Sequence, residues 1–217
     1  MRRILAGAAI LAASAVLLAS ANGPQADTGD RAAIILDNPH VRVFRTTGSA
    51  LAGVEHKPGV VVPIDKPEMT RWTSDAAVPP SPLELDRWQI APGGAPVGPL
   101  VIVEPRPATT KAPPLKQAAK PGDAPATGMS FKTMFENATV AVLRARMDVG
   151  AKEGFHTHAS DTIVVYLTDG EIENTVEGTT RTDRWKKGDA EFEARGSSHS
   201  ARNAGQAIDV VLVTLKP

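Results

Sequence analysis

The chain has 217 residues, with 24 Lys and Arg against 24 Asp and Glu, and no cysteine. That balance offers no basic surface of the kind nucleic acid or anionic lipid demands, and the missing cysteines exclude disulfides and lipoprotein attachment. Eighteen prolines and eighteen glycines, with no long segment of apolar residues at helical spacing, point to turns and short strands.

Residues 1–21 read as a secretory signal peptide. Arg2 and Arg3 precede an unbroken run of apolar and small residues, and Ala19-Ser20-Ala21 is an Ala-x-Ala cleavage site. The run is short for a membrane span, which needs about 20 apolar residues, so no stable membrane anchor is expected after cleavage. Cleavage removes two basic residues and no acid, leaving 22 basic against 24 acidic side chains. The expected destination is export, to the periplasm or beyond the cell. Residues 22–32 read as a disordered lead-in.

Order is expected from Ala33. Ile34-Ile35-Leu36 is an apolar run, and Asp37-Asn38-Pro39-His40-Val41-Arg42-Val43 continues in strand alternation. A similar pattern recurs as Glu136-Asn137-Ala138-Thr139-Val140-Ala141-Val142. Both copies read acid, Asn, two residues, Val-x-Val, about one domain length apart, which suggests two related modules. The first module spans 33–104. Its His40 and His56 read as surface or hydrogen-bonded histidines, and 66–82 as an irregular loop carrying Trp72. Leu83-Glu-Leu-Asp-Arg-Trp88-Gln-Ile90 alternates as a strand, and Leu100-Val-Ile-Val103 is a short buried one. Residues 105–128, rich in Pro, Ala and Lys, form a linker; Lys111, Lys116 and Lys120 in it read as solvation.

The last stretch, 129–217, carries the chemistry. Val140 to Val149 alternates, with Ala141, Leu143, Ala145 and Met147 on one face and Val140, Val142, Arg144 and Arg146 on the other; parity alone leaves open which face is core. Gly150 to Gly154 reads as a loop into Phe155-His156-Thr157-His158. Thr162 to Thr168 is strongly β-forming, Asp169-Gly170 is a hairpin turn signal, Glu177-Gly178 is the turn of the next hairpin, and Thr179–Trp185, Ala190–Ala194 and Ile208–Leu215 are strands. His156 and His158 point to one side of an extended backbone, and His199 lies about forty residues on, after two hairpins.

These residues resemble the two-motif signature of the cupin family. Gly150, His156, His158 and Gly170 fit the first motif. Gly188, Gly196, His199 and Asn203 fit the second, with Ala194 in place of its proline. The resemblance implies an all-β fold: a small double-sheet jelly-roll (cupin) barrel in the C-terminal half, with the first module a degenerate cupin-like β module before it. It also implies a metal held by His156, His158 and His199. The family's metal-binding glutamate is missing, since its position falls on Thr162 or Ile163. Asp161 is the nearest carboxylate, so the site is three-histidine, helped by Asp161, or vestigial.

Three imidazoles suit a divalent transition metal, Fe, Mn, Zn, Ni or Cu. By resemblance, such a protein is either an oxygenase or isomerase acting on a small oxygenated or anionic molecule, or a non-catalytic binding or structural module. A small-molecule ligand or substrate is the expected partner. Barrels of this family commonly pair, so either a homodimer or intramolecular pairing of the two modules is expected. No catalytic side chain beyond the metal ligands is assigned.

Overall fold

The computed structural model describes residues 32–47, 57–72, 98–106 and 126–216. The expected signal peptide, His56, the strand at 83–90 and the linker lysines lie outside the described residues. Those described form two antiparallel sheets, with a single turn of 3₁₀ helix at Pro67–Met69 and no α-helix among them.

The first sheet has five strands: β1 (Ala33–Asp37), β2 (Val41–Thr47), β3 (Val60–Pro63), β4 (Arg71–Trp72) and β5 (Pro99–Pro105), in the order β1-β2-β5-β3-β4. The stretch 66–82, read as irregular, therefore contains a short strand, β4, paired to β3. The second sheet has eight: β6 (Ala126–Glu136), β7 (Val140–Thr157), β8 (Thr162–Tyr166), β9 (Gly170–Val176), β10 (Thr179–Trp185), β11 (Ala190–Glu193), β12 (Ser198–Arg202) and β13 (Ile208–Leu215). Its order is β10-β9-β12-β7-β13-β8-β11, with β6 also paired to β7. β6 begins at Ala126, within the stretch read as linker.

β7 holds this sheet together. Its first half pairs with β13, from Val140↔Leu215 to Met147↔Ile208, and its last residues pair with β12. The expected loop at Gly150–Gly154 is instead strand, because the chain bends without breaking the ladder. Gly150 sits at φ +80°, a conformation side chains rarely adopt, and it supplies the bend. Asn203, fully buried, pins it. Asn203 Nδ2 donates to the carbonyls of Met147 (3.1 Å), Asp148 (3.0 Å) and Gln206 (2.8 Å), and the Gly150 N–H donates to the Asn203 carbonyl.

The bend curls the sheet so that β8 and β13 face β9 and β10. Tyr166 stacks on Trp185 across the gap, ring centroids 4.2 Å apart. Gly170 is required there by space, since a Cβ would lie 2.6 Å from the Trp185 ring.

The outer face of this half-barrel is covered by the first sheet. Val41, Val43, Val60, Val62, Val101 and Val103 pack against Val140, Val142, Ile163, Val165, Val211 and Val213 in one core. Each such side chain contributes about 1.5–3 kcal/mol when fully buried. This decides the faces of β7: Val140 and Val142 point outward into the shared core, while Ala145 and Met147 point into the barrel. Arg144 lies on the outer face and donates twice to the Asp209 carboxylate, at 3.0 and 2.5 Å.

The recurring acid-Asn-x-x-Val-x-Val pattern has the same local structure in both copies. Asn38 Oδ1 accepts from the N–H groups of His40 and Val41, and Asn137 Oδ1 from those of Thr139 and Val140. Each asparagine turns one antiparallel strand into the next, β1 into β2 and β6 into β7.

Candidate metal centre

The last residues of β7 and the first of β12 run side by side, and His156 stands directly opposite His199. His158 follows β7, held by its N–H on the Ser197 carbonyl at 2.9 Å and by the Gly196 N–H on its own carbonyl. The structure thus brings the three predicted histidines together. One ring nitrogen from each lies within 4.8 Å of the others, and the ring centroids are 4.7–5.0 Å apart.

Hydrogen bonds aim the nitrogens. His156 Nδ1 donates to the Gly154 carbonyl at 3.0 Å, which leaves Nε2 bare and facing the cluster. His199 Nδ1 lies 3.1 Å from Asn174 Oδ1. The orientation of that amide is set by Asp183, which accepts from Asn174 Nδ2 at 3.0 Å, so Oδ1 must be an acceptor and His199 Nδ1 the donor. The bare Nε2 of His199 then lies 3.2 Å from Nε2 of His158. With no proton on His199 Nε2, His158 Nε2 either donates to it or meets it across a shared cation. Ligand bonds of 2.0–2.1 Å would set such nitrogens about 3.0–3.4 Å apart, so this pair already has the spacing of two ligands on one ion, and the third imidazole, within 4.8 Å, would close in on it.

Burial, reinforced by the neighbouring imidazoles, lowers the pKa of His158 to about 4 and that of His199 to about 3. Both are neutral at physiological pH, the form that ligates.

Asp161 is not brought to the cluster. Its Oδ1 accepts the Arg195 N–H at 2.7 Å and its Oδ2 lies 3.0 Å from His40 Nδ1. Asp161 shares a face with Ile163, as parity requires, but that face points out toward the first sheet, where Ile163 is fully buried. Thr162 is the residue that lines the cavity, and its hydroxyl meets that of Thr214 at 3.3 Å. His40, which also stacks on Phe192, joins the two sheets.

Two carboxylates that the motif does not include stand beside the imidazoles. Glu153, named by neither motif, lies 3.6 Å from His156 Nε2 and 4.0 Å from His199 Nε2. Glu193 lies 3.6 Å from His158 Nδ1 and 4.0 Å from His199 Nε2. Burial raises the pKa of both; that of Glu193 reaches about 8, helped by Glu191 and Glu153 nearby.

Glu191 and Glu193 alternate on β11 with Ala190 and Phe192, which pack on the shared core, so the acids face inward. The alternation is visible in the sequence, but an acidic strand face reads as solvent-facing unless the apolar face is known to be covered from outside.

Beyond the histidines the curled sheet lines an open cavity of about 870 Å³. Met129, Met147, Val164, Ile172, Trp185 and Leu212 form apolar wall. On its wall Tyr166 donates to Glu191 of the neighbouring strand at 2.6 Å, and burial holds the phenol well above its usual range.

Strand order and histidine placement define the class: a cupin-type β-barrel whose lumen holds three convergent imidazoles. No family model matches the chain, and neither does any curated protein. Among solved structures it is similar to a cupin domain from Bordetella pertussis, at 23% identity over 42% of this chain and 95% of that one, TM-score 0.40. It is also similar to an RmlC-like cupin from Shewanella frigidimarina, at 18% identity over 42% and 78%, TM-score 0.35. A predicted oxalate decarboxylase from Thermotoga maritima gives 22% identity over 42% and 84%, TM-score 0.36.

Proposed function

We propose that this is an exported cupin that binds one divalent transition metal through His156, His158 and His199 and acts on a small oxygenated molecule held in the barrel. The observation that carries this reading is the aim of the imidazoles. Independent hydrogen bonds at Gly154 and Asn174 leave bare nitrogens on His156 and His199 facing the cluster, and His158 stands within 3.2 Å of the latter. Export rests on the composition of residues 1–21.

A bound metal would supply Lewis-acid polarisation of a substrate oxygen. The chain's own residues do the rest. The apolar wall would hold the carbon frame of a substrate. Glu193, protonated at neutral pH, can donate a hydrogen bond to a substrate oxygen beside the imidazoles. Glu153, Glu191, Glu193 and Asp183 all line the cavity, against Arg146 and Arg181. That acid-rich lining disfavours polyanions, so the favoured substrate carries one or two oxygens on an otherwise apolar frame. Oxygenase and isomerase chemistry both suit such a site.

The test is elemental analysis of protein purified without chelator. The expected result is about one transition metal per chain, lost in His199→Ala. Unchanged occupancy in that variant removes the site. A second reading, a non-catalytic binding module, is favoured by Thr162 standing where the family carries its carboxylate. A ligand-induced thermal shift that persists in chelator supports the module; strict metal dependence supports the first reading.

A further inference from the structure

We propose that Glu153 supplies the carboxylate ligand that the first motif lacks, re-aimed into the site by a β-bulge in β7. The proposal rests on the three-histidine reading above.

Plain alternation along β7 puts Glu153 and His156 on opposite faces, because they are an odd number of residues apart. The pairing with β12 breaks that alternation. His199 pairs with His156 and Ala201 with Glu153, so two residue steps on β12 are matched by three on β7. His199 and Ala201 share the inward face of β12, and their partners are carried to the same face. A bulge has this effect: one extra residue reverses the parity of what precedes it. Ala201, opposite Glu153, is small and leaves room for the longer side chain.

The carboxylate straddles the cluster. One oxygen lies 3.6 Å from His156 Nε2, the other 4.0 Å from His199 Nε2. Both are the nitrogens that face the cluster. Ligands on a common ion are about 3.0–3.4 Å apart, so a shift of about half an ångström in a flexible side chain brings the carboxylate to that spacing, with the imidazole nitrogens, within 4.8 Å of one another, drawing in around the same ion.

Glu193 also has an oxygen 4.0 Å from His199 Nε2, but that is its one approach to a nitrogen facing the cluster, where Glu153 has two. Glu193 approaches His158 at Nδ1, the ring nitrogen other than the one that meets His199, and so is a positioning residue for that imidazole. Asp161 is committed elsewhere, to the Arg195 N–H and His40. The ligand set is therefore three imidazoles and one carboxylate, as in the family, with the carboxylate taken from the residues before the His-x-His pair rather than from those after it.

Co²⁺ alone is the probe, titrated into metal-free full-length protein and read by its d–d absorption and its dissociation constant. Glu153→Gln is expected to shift the band and to weaken binding by about 10–100-fold or more, with Asp161→Asn matching the wild type in both. Glu193→Gln is expected to weaken binding while keeping the band position. Wild-type affinity and spectrum in Glu153→Gln overturn the proposal. His199→Ala separates the two readings: it abolishes binding whether or not Glu153 ligates, and if it binds Co²⁺ like the wild type the metal site itself fails. Crystals of the wild type grown with Co²⁺ decide the matter without a variant. A Glu153 oxygen about 2.0–2.2 Å from the ion supports the proposal. Water in that position, with Glu153 turned away, overturns it.

Discussion

Asn174 Oδ1 accepts a hydrogen bond from His199 Nδ1 at 3.1 Å, and the Asn174 amide is itself fixed by Asp183. This relay, which Arg181 extends by donating to Asp183, sets which nitrogen of His199 is bare. Partners that fix the tautomer of a metal-ligating histidine are typically worth 10–100-fold in affinity. Asn174→Leu is therefore expected to weaken Zn²⁺ binding by about that factor in a competition titration, with His199 still present. Unchanged affinity would show that packing alone orients the ring.

Asn203 is a structural counterpart at the other end of β12. It is fully buried, and its side chain donates to three carbonyls around the β7 bend and accepts the Gly205 N–H at 3.0 Å. Asn203→Ala leaves several buried backbone groups unpaired and is expected to cost about 3 kcal/mol or more. In a domain of this size that is a fall of roughly 6–12 °C in Tm. Calorimetry of the metal-free protein reads it directly.

Tyr166 is buried and Glu191 beside it is half-buried, and the phenol is the hydrogen-bond donor to the carboxylate. Tyr166→Phe keeps the stacking on Trp185 and removes that donor. The expected loss is about 1–3 kcal/mol at neutral pH, the cost of leaving a half-buried acid without its partner. Chemical denaturation checks it. If stability is retained, a water has taken the place of the hydroxyl.

The metal-free protein should lose stability as the pH rises above neutral. Glu193 titrates from an ordinary 4.5 up to about 8 in the fold, because burial opposes its charge. Between those values the folded protein holds a proton that the unfolded chain has released. Its contribution is complete below pH 4.5 and is lost as the pH rises through 8. His158 and His199, lowered from 6.5 to about 4 and about 3, act in the opposite sense and only below 6.5, where the unfolded chain holds protons the fold excludes. From pH 6.5 to 8.5 the carboxylate therefore dominates. Thermal melts in chelator should show Tm falling across that range, with the slope flattened in Glu193→Gln. A flat wild-type profile would mean that Glu193 is already ionised at pH 6.5.

The strands and the three clustered histidines were legible in the sequence because they depend on local chemistry. The period of two, the turn at Glu177-Gly178, and the spacing of His156, His158 and His199 survive in the fold, whereas Asp169-Gly170 makes no hairpin, since β8 and β9 do not pair and Gly170 already belongs to β9. The Asn38 and Asn137 patterns likewise make the same turn. What parity could not supply was which face of each strand is inside. That depends on a second sheet, distant in sequence, covering the outer face. Its valines bury Ile163, which sends Asp161 outward, leaves Thr162 in the cavity and turns the acids of β11 inward. Nor does a bulge have a sequence signature here. Glu153 reaches the histidines because β12 pairs two residues against three of β7, a mismatch that exists only once both strands are in place. Local periodicity chose the elements and the histidines; the packing of one sheet on another chose the carboxylates that surround them.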